Sequence, residues 1–488
     1  MFKRMQALAV LLIFSLVALG GRILYLSYFQ SKSAAVQGSE HAEYFGTNRG
    51  LILDRKMKAL VETQTQKVTS AVNPSFSLAV PERYANRQLC AHFIGYLDAD
   101  NNGVSGIEKD YNAFLKAIEN QIALKTYKDA RGNTLLGKGT VVDESRRCTD
   151  SGIMLTIDRD IQSITQTAAK RVKSGAVVVM DSDSGKLLAS VSMPQFHPNQ
   201  VDAAMRQKGT PLVNRVLQSY NVGSVFKVVV CLAALESGID EGFCYRCTGR
   251  ILCGGRAFHC HKEDGHGSIT MKQALAQSCN TYFIALAQKI GAEKMLEICN
   301  RLSIKESIRL SDSIVSEAGN LPLSRDLSSP AALANFSFGQ GELLASPLWL
   351  CRLYAAIHNG GYLVQPQLVQ AKVVHGKQEA IGSQKSAQKQ VFKHEHAQLL
   401  MRFLEETVKS GTGKAANVKY CTVAGKTATA QTGKFIKKKE ILISYFIGLF
   451  SIKGEKYTVF VMCDNGSSGA ADCVPLFQEI CEKICRMQ

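Results

Sequence analysis

Apolar residues run almost unbroken from Ala7 to Gly21 and, after Arg22, resume as Ile23-Leu24-Tyr25-Leu26 before Tyr28 and Phe29. A helix needs about 20 mainly apolar residues to cross a bilayer. Met5 to Phe29 reaches that length when Arg22 snorkels toward one interface, and Tyr25, Tyr28 and Phe29 then lie at the aromatic belt. Lys3 and Arg4 favour a cytoplasmic start with the remainder outside. A cleaved leader competes with this reading, because Ala18 and Gly20 resemble a small-residue cleavage site. Apolar sequence continuing past Gly20 favours the uncleaved anchor.

From Gln30 to Arg147 short polar and apolar pieces alternate, with turns expected at Asp100-Asn101-Asn102-Gly103 and Ala130-Arg131-Gly132-Asn133. The character changes at Met154. Gly175 to Met180 reads as a buried strand, and Lys186 to Met193 as its hairpin partner across Asp181 to Gly185. Ser224 to Glu236 predicts a helix apolar on most faces, hence deeply buried. Ile269 to Ile290 predicts helices on either side of a polar Gln277-Ser278-Cys279-Asn280. Leu348 to His358 is another helix, stopped by Asn359-Gly360-Gly361. Ile443 to Ser451 and Lys456 to Cys463 predict a hairpin across Lys453-Gly454-Glu455, and a last helix runs from Val474 to Met487. This order implies an α+β fold, an antiparallel sheet with helices packed on it. The expected division is an anchor (1–30), a small module (31–150) and a larger domain (151–488).

Composition changes this picture little. Of 488 residues, 46% are hydrophobic and 20% charged, as in ordinary folded proteins. The net charge of +17 favours anionic surroundings such as lipid headgroups or wall polymers. Its one dense run, Lys434 to Lys439, comes with no nucleic-acid motif and reads as a solvated hairpin tip, so no nucleic-acid partner is expected. The 15 cysteines are an odd number, and Cys231, Cys351, Cys481 and Cys485 sit in apolar segments where free thiols behave as small hydrophobes.

Chemistry enters with Ser224-Val225-Phe226-Lys227. Positions three apart on a helix share a side. A serine hydroxyl needs a neighbouring base, and a lysine buried among apolar residues loses its charge readily enough to be one. Gly223 allows a sharp entry, and the helix N-terminus offers partial positive charge to an oxyanion. Ser278-Cys279-Asn280 supplies a hydroxyl and an amide for proton relay and positioning. In a strand, Lys426-Thr427-Ala428-Thr429 points Lys426 and Ala428 one way and Thr427 and Thr429 the other. Taken singly, these read equally well as a helix start, a helix cap and an exposed edge strand.

The ordered trio resembles the signature of penicillin-binding proteins and serine β-lactamases. Further stretches resemble class B penicillin-binding proteins: Arg49 to Arg55, Gly103 to Lys109, Leu155 to Asp158, Gly185 to Pro194, Phe338 to Gly341, Asn359 to Gly361 and Gly411 to Gly413. The resemblance implies a transpeptidase-like domain with helices on both sides of its sheet, acting on peptidoglycan stem peptides and acylated by β-lactams. By it, Ser224 is the nucleophile and Lys227 its base. Ser278 relays a proton, and Asn280 holds the substrate amide. Lys426 stabilises charge, Thr427 and Thr429 bind the substrate carboxylate, and the backbone N–H groups of Ser224 and Thr429 form the oxyanion hole. No metal or organic cofactor is implied, and a membrane-embedded glycan polymerase is the implied partner. A carboxypeptidase or β-lactamase-like hydrolase, and a non-catalytic penicillin sensor or division scaffold, are the competing functions. Three positions depart from the family pattern: Ala428 for Gly, Val222 for Pro, and Ser444-Tyr445-Phe446 for a His or Ala before Trp-Phe.

One cluster lies outside the trio. Cys244, Cys247, Cys253 and Cys260 lie close together, with His259 and His261 beside the last. Cys244 and Cys247 have zinc-knuckle spacing, but the next intervals form no second knuckle, which favours thiol or disulfide chemistry. The expectation is that Cys247 and Cys260 approach within about 7 Å between Cα atoms, bridging distance. Cys244 and Cys253 are not expected to complete a tetrahedral site with them.

Overall fold

The computed structural model describes residues 2–25, 39–85, 88–128, 134, 139–381 and 389–487. Tyr28, Phe29 and the expected Ala130–Asn133 turn lie outside them. The chain forms two units. The first comprises Met1–Arg49, Gln64–Arg83 and Lys116–Thr149, and the second Gly50–Thr63, Tyr84–Leu115 and Asp150–Gln488. The chain therefore enters the second unit twice before residue 150.

In the first unit, the helix Phe2–Tyr25 turns its apolar side chains outward, with Phe14 77% and Leu11 71% exposed. Its apolar stretch Met5–Tyr25, 21 residues, spans about 31 Å at about 1.5 Å per residue, against a hydrocarbon core of about 30 Å. The strands Ser39–Phe45, Ile122–Lys128 and Thr140–Asp143 form an antiparallel sheet. Gln64–Thr69 and Ser77–Glu82 form a separate pair. Leu78, Val80 and Ile122 centre a small core with Phe45, Val68 and Phe76 against it.

In the second unit the main sheet has five antiparallel strands, in the order Val423–Ile436, Lys439–Ile452, Glu455–Asp464, Gly175–Asp181, Leu187–Met193. Period-two alternation sends neighbouring side chains to opposite faces. Val177, Val179, Val459 and Val461 pack with Phe446, Phe450 and the helices Arg159–Ala169 and Val474–Met487. Val178, Met180, Phe460 and Met462 face the opposite cluster, which includes Lys227–Glu236, Asn280–Ile290 and Pro347–His358. Burial on both faces explains the continuous apolar runs. The lysine run does form a hairpin tip, and a tight one: Ile436 pairs with Lys439, and Lys437 and Lys438 have φ of 47° and 67°, as a two-residue turn between right-twisted strands requires. A second sheet pairs Lys377–Ala380, Val369–Val374, Gly152–Leu155 and Leu51–Leu53, the last two in parallel.

The expected helix from Ser224 differs at its start. Gly223–Phe226 is a 3-10 turn, and the α-helix begins at Lys227.

Candidate active site

The approach to Ser224 is fixed by backbone contacts. Gly223 has φ +65°, and a Cβ there would lie 3.1 Å from the Cβ of Ala430, so only glycine fits the turn without strain. Its N–H donates to the Gly339 carbonyl at 2.8 Å. The buried Tyr354 hydroxyl donates to Val225 O at 3.0 Å, and Tyr445 to Asn221 O at 2.7 Å. Side chains three apart eclipse in a 3-10 turn, so Ser224 and Lys227 share one side. Ser224 is half-buried, and its hydroxyl makes no hydrogen bond among the described residues. Val225 and Phe226, beside it, are buried.

Lys227 is fully buried. Its Nζ donates to Ser278 O at 2.8 Å and to Asn280 Oδ1 at 2.7 Å, with Ser278 Oγ at 3.2 Å. The Phe283 ring lies 5.4 Å away. Burial pushes the Lys227 ammonium down to about 8 from 10.5. A neutral amine has two N–H groups, which satisfy the two obligate acceptors and leave its lone pair for a hydroxyl. Ser278 has φ +55°, and Asn280 begins the helix Asn280–Ile290. The turn between Met271–Ala276 and that helix thus brings the second motif onto the first.

The third motif lies on the edge strand Val423–Ile436, paired only with Lys439–Ile452 among the described residues. Lys426 is fully buried and donates to Thr427 O at 3.0 Å. Burial and then the charge of Lys227 hold the Lys426 amine well below its ordinary value. Ala428 is buried on the same side of the strand, and Ala430, two further on, meets Gly223. Thr427 shares a 2.6 Å hydrogen bond with Thr412, and Thr412 N donates to Ala276 O at 3.1 Å. Thr429 is half-buried, and its Oγ1 accepts from Gly469 N at 3.4 Å. The Gly223–Ala430 contact sets Ser224 and Thr429 each one residue from a shared junction.

Sequence reasoning did not assign Tyr354, Tyr445, Gly339 or Thr412, which position the three motifs. Thr412 lies in the noted Gly411-Thr412-Gly413 stretch, but pairing of its hydroxyl with Thr427 leaves no local signal.

The cysteine-rich segment borders the second motif. The Sγ atoms of Cys247 and Cys260 lie within 4.8 Å of each other, but both are free thiols rather than the bridge their spacing suggested. Cys244 is exposed, and Cys253 points elsewhere, its Sγ 3.3 Å from Pro330 O. His266 and Cys279 join the pair, while His261 Nδ1 lies 3.9 Å from Cys260 Sγ outside this group of four.

Residues 175–482 match the family described as the penicillin binding protein transpeptidase domain. The chain is 27% identical over 391 residues to stage V sporulation protein D of Bacillus subtilis, covering 77% of this chain and 58% of that protein. It is 28% identical over 453 residues to the penicillin-binding protein PbpB of Mycobacterium tuberculosis, covering 84% and 64%. It therefore spans about three fifths of the length of these relatives. A solved D,D-transpeptidase domain of a peptidoglycan glycosyltransferase from Eggerthella lenta superposes with a TM-score of 0.71 at 25% identity, covering 90% of this chain and 98% of that one. With the family match running from the strand Gly175–Asp181 into the last helix, across all three motifs, the chain belongs to the penicillin-binding protein transpeptidase domain family.

Proposed function

We propose that this chain is a serine D,D-transpeptidase that cross-links peptidoglycan stem peptides. One observation carries the reading: the fully buried Lys227 amine, three residues after Ser224, is held by Ser278 and Asn280 at 2.7–3.2 Å. Ser224 Oγ attacks the carbonyl of the penultimate D-alanine while its proton passes to Lys227. The oxyanion faces the N–H groups of Ser224 and Thr429. Asn280 holds the substrate amide. Lys426, Thr427 and Thr429 hold the terminal carboxylate. Ser278 relays the proton to the departing D-alanine amine, and the acyl-enzyme remains. The amine of a second stem peptide then attacks the ester, forming the cross-link and freeing Ser224. A β-lactam enters the same first step and stays as the acyl adduct.

Met5–Tyr25 supports a membrane anchor, with Lys3 and Arg4 on the cytoplasmic side and the catalytic unit outside. A glycan polymerase in the membrane is the proposed partner, as the source of strands to be cross-linked. The test is fluorescent penicillin labelling followed by peptide mapping, with pentapeptide turnover measured in the presence of an acceptor amine. The expected result is an adduct at Ser224, loss of labelling in Ser224→Ala, and dimeric product. An adduct elsewhere refutes the nucleophile. Hydrolysis without dimer assigns a carboxypeptidase.

A further inference from the structure

The segment from Cys244 to Ile269 is poor in core. Leu252 is 74% exposed, and the apolar residues buried there, apart from cysteines, are Phe258 and Ile269. So few apolar groups do not hold a lobe of irregular strands, and small lobes of this kind need a staple. The strand Tyr245–Cys247 pairs with Gly267–Ile269 so that Cys247 lies opposite Gly267, next to His266. The hairpin Arg250–Cys253/Arg256–His259 returns the chain to Cys260, whose N–H donates to Gly249 O at 2.8 Å. Gly265 has φ +77°, and a Cβ there would stand 2.2 Å from the Cys247 carbonyl. The chain is thus folded tightly around a point where Cys247, Cys260 and His266 converge.

Cys279 reaches the same point from the second catalytic motif. The four ligand atoms all lie within 4.8 Å of one another. A tetrahedral site with Zn–S of about 2.3 Å and Zn–N of about 2.0–2.1 Å has S–S edges of about 3.8 Å and S–N edges of about 3.5–3.6 Å. The Cys260–Cys279 Sγ separation is 3.8 Å, and His266 Nδ1 lies 3.5 Å from Cys260 Sγ and 3.6 Å from Cys247 Sγ. A disulfide requires about 2.05 Å between sulfurs and leaves the third thiol and the imidazole unexplained. The buried Thr281 hydroxyl donates to Cys247 Sγ at 3.0 Å and lies 3.4 Å from Cys279 Sγ, the outer-sphere contact expected around a thiolate site.

We propose that Cys247, Cys260, His266 and Cys279 bind one zinc ion that braces the Ser278–Asn280 turn against Lys227. Three thiolates and a neutral imidazole complete a closed tetrahedron, so the ion is structural and takes no part in acyl transfer. The thiol protons leave on metal binding. Cys279 lies between Ser278 and Asn280, so fixing its sulfur fixes both acceptors of the Lys227 amine. Metal binding stands without the proposed activity; its effect on acylation rests on it.

The test uses the full chain purified in detergent under reducing conditions. Metal analysis is expected to find one zinc per chain. Replacement by cobalt(II) is expected to give thiolate-to-cobalt charge-transfer bands and the intense visible bands of a tetrahedral site. Cys260→Ser and His266→Ala are expected to lose the metal, Cys253→Ser to keep it, and Thr281→Val to weaken zinc binding about 10–100-fold. Chelation is expected to slow penicillin acylation at Ser224, with recovery when zinc returns. Failure of the intact reduced chain to take up zinc or cobalt overturns the site. So does a Cys247–Cys260 or Cys260–Cys279 disulfide in chain isolated without reductant and with its free thiols blocked at lysis. Unchanged acylation after complete zinc removal overturns the bracing role. Zinc uptake by a chain that never reacts with penicillin refutes the catalytic reading and leaves the metal site standing.

Discussion

Lys227 gives the sharpest quantitative test. Its Nζ is fully buried, and its value falls to about 8 from 10.5 with burial as the first cause. For an amine titrating at about 8, about 1% is neutral at pH 6 and about 90% at pH 9, an increase of about ninetyfold in the basic form. The second-order rate of penicillin acylation is therefore expected to rise about tenfold per pH unit from pH 6 and level off above pH 8. Lys227→Ala removes the base, so acylation falls about 10²–10⁴-fold and its pH dependence flattens. Linkage gives a second readout. The folded-state value is depressed for a cationic acid, so the charged form destabilises the fold below about pH 8. The penalty is relieved as pH rises from there through the unfolded value of 10.5. A shift of this size corresponds to about 3 kcal/mol. Stopped-flow acylation across pH 6–9 and denaturant titrations at pH 7 and 10 measure both effects. A flat wild-type profile, or near-normal acylation by Lys227→Ala, refutes the assignment of Lys227 as the base.

Gly223→Ala places a methyl against Ala430 in a left-handed conformation. It is expected to cost about 1–2 kcal/mol and to slow acylation, measured by thermal unfolding and penicillin labelling. Ala428→Gly removes a buried methyl on the Lys426 side of the strand. It is expected to cost about 0.5–1 kcal/mol while modestly raising the β-lactam acylation rate, and a slower rate shows the methyl to be needed. Deleting Phe2–Tyr25 is expected to move the protein from the membrane fraction to the soluble one on sedimentation, and retention at the membrane argues against this helix as the anchor.

The strands of the main sheet were legible because they are short continuous apolar runs rich in β-branched and aromatic residues, as in Gly175–Asp181 and Glu455–Asp464. The three motifs were legible as an ordered set, and folding brings two of them to hydrogen-bond distance at Lys227. The 3-10 start at Gly223 was not legible, because the groups packed around that turn, Gly339 and Ala430, come from distant parts of the chain. Spacing also misled at the cysteines. The Cys244-x-x-Cys247 pattern drew attention to Cys244, which is exposed. The groups that meet Cys247 and Cys260 are His266, placed by strand pairing, and Cys279, which looked like the filler of a catalytic motif. Leu51–Leu53 joined a strand a hundred residues away in sequence, a pairing no local pattern announces.

That pairing bears on how the catalytic unit can be dissected. Leu51, Ile52 and Leu53 are 0–5% exposed. The Asp54 carboxylate accepts the Arg159 N–H at 3.1 Å, at the start of the helix Arg159–Ala169. A gene fragment beginning at residue 151 therefore uncovers one edge of the Gly152–Leu155 strand and removes a carboxylate from a helix N-terminus. An uncovered edge recruits other chains, so such a fragment is predisposed to self-association. The same geometry makes the segment a candidate for complementation in trans. A synthetic peptide spanning Gly50–Thr63 offers the missing strand and carboxylate together, and its capture by the 151–488 fragment would measure how much of the catalytic unit's cohesion is contributed from before residue 150.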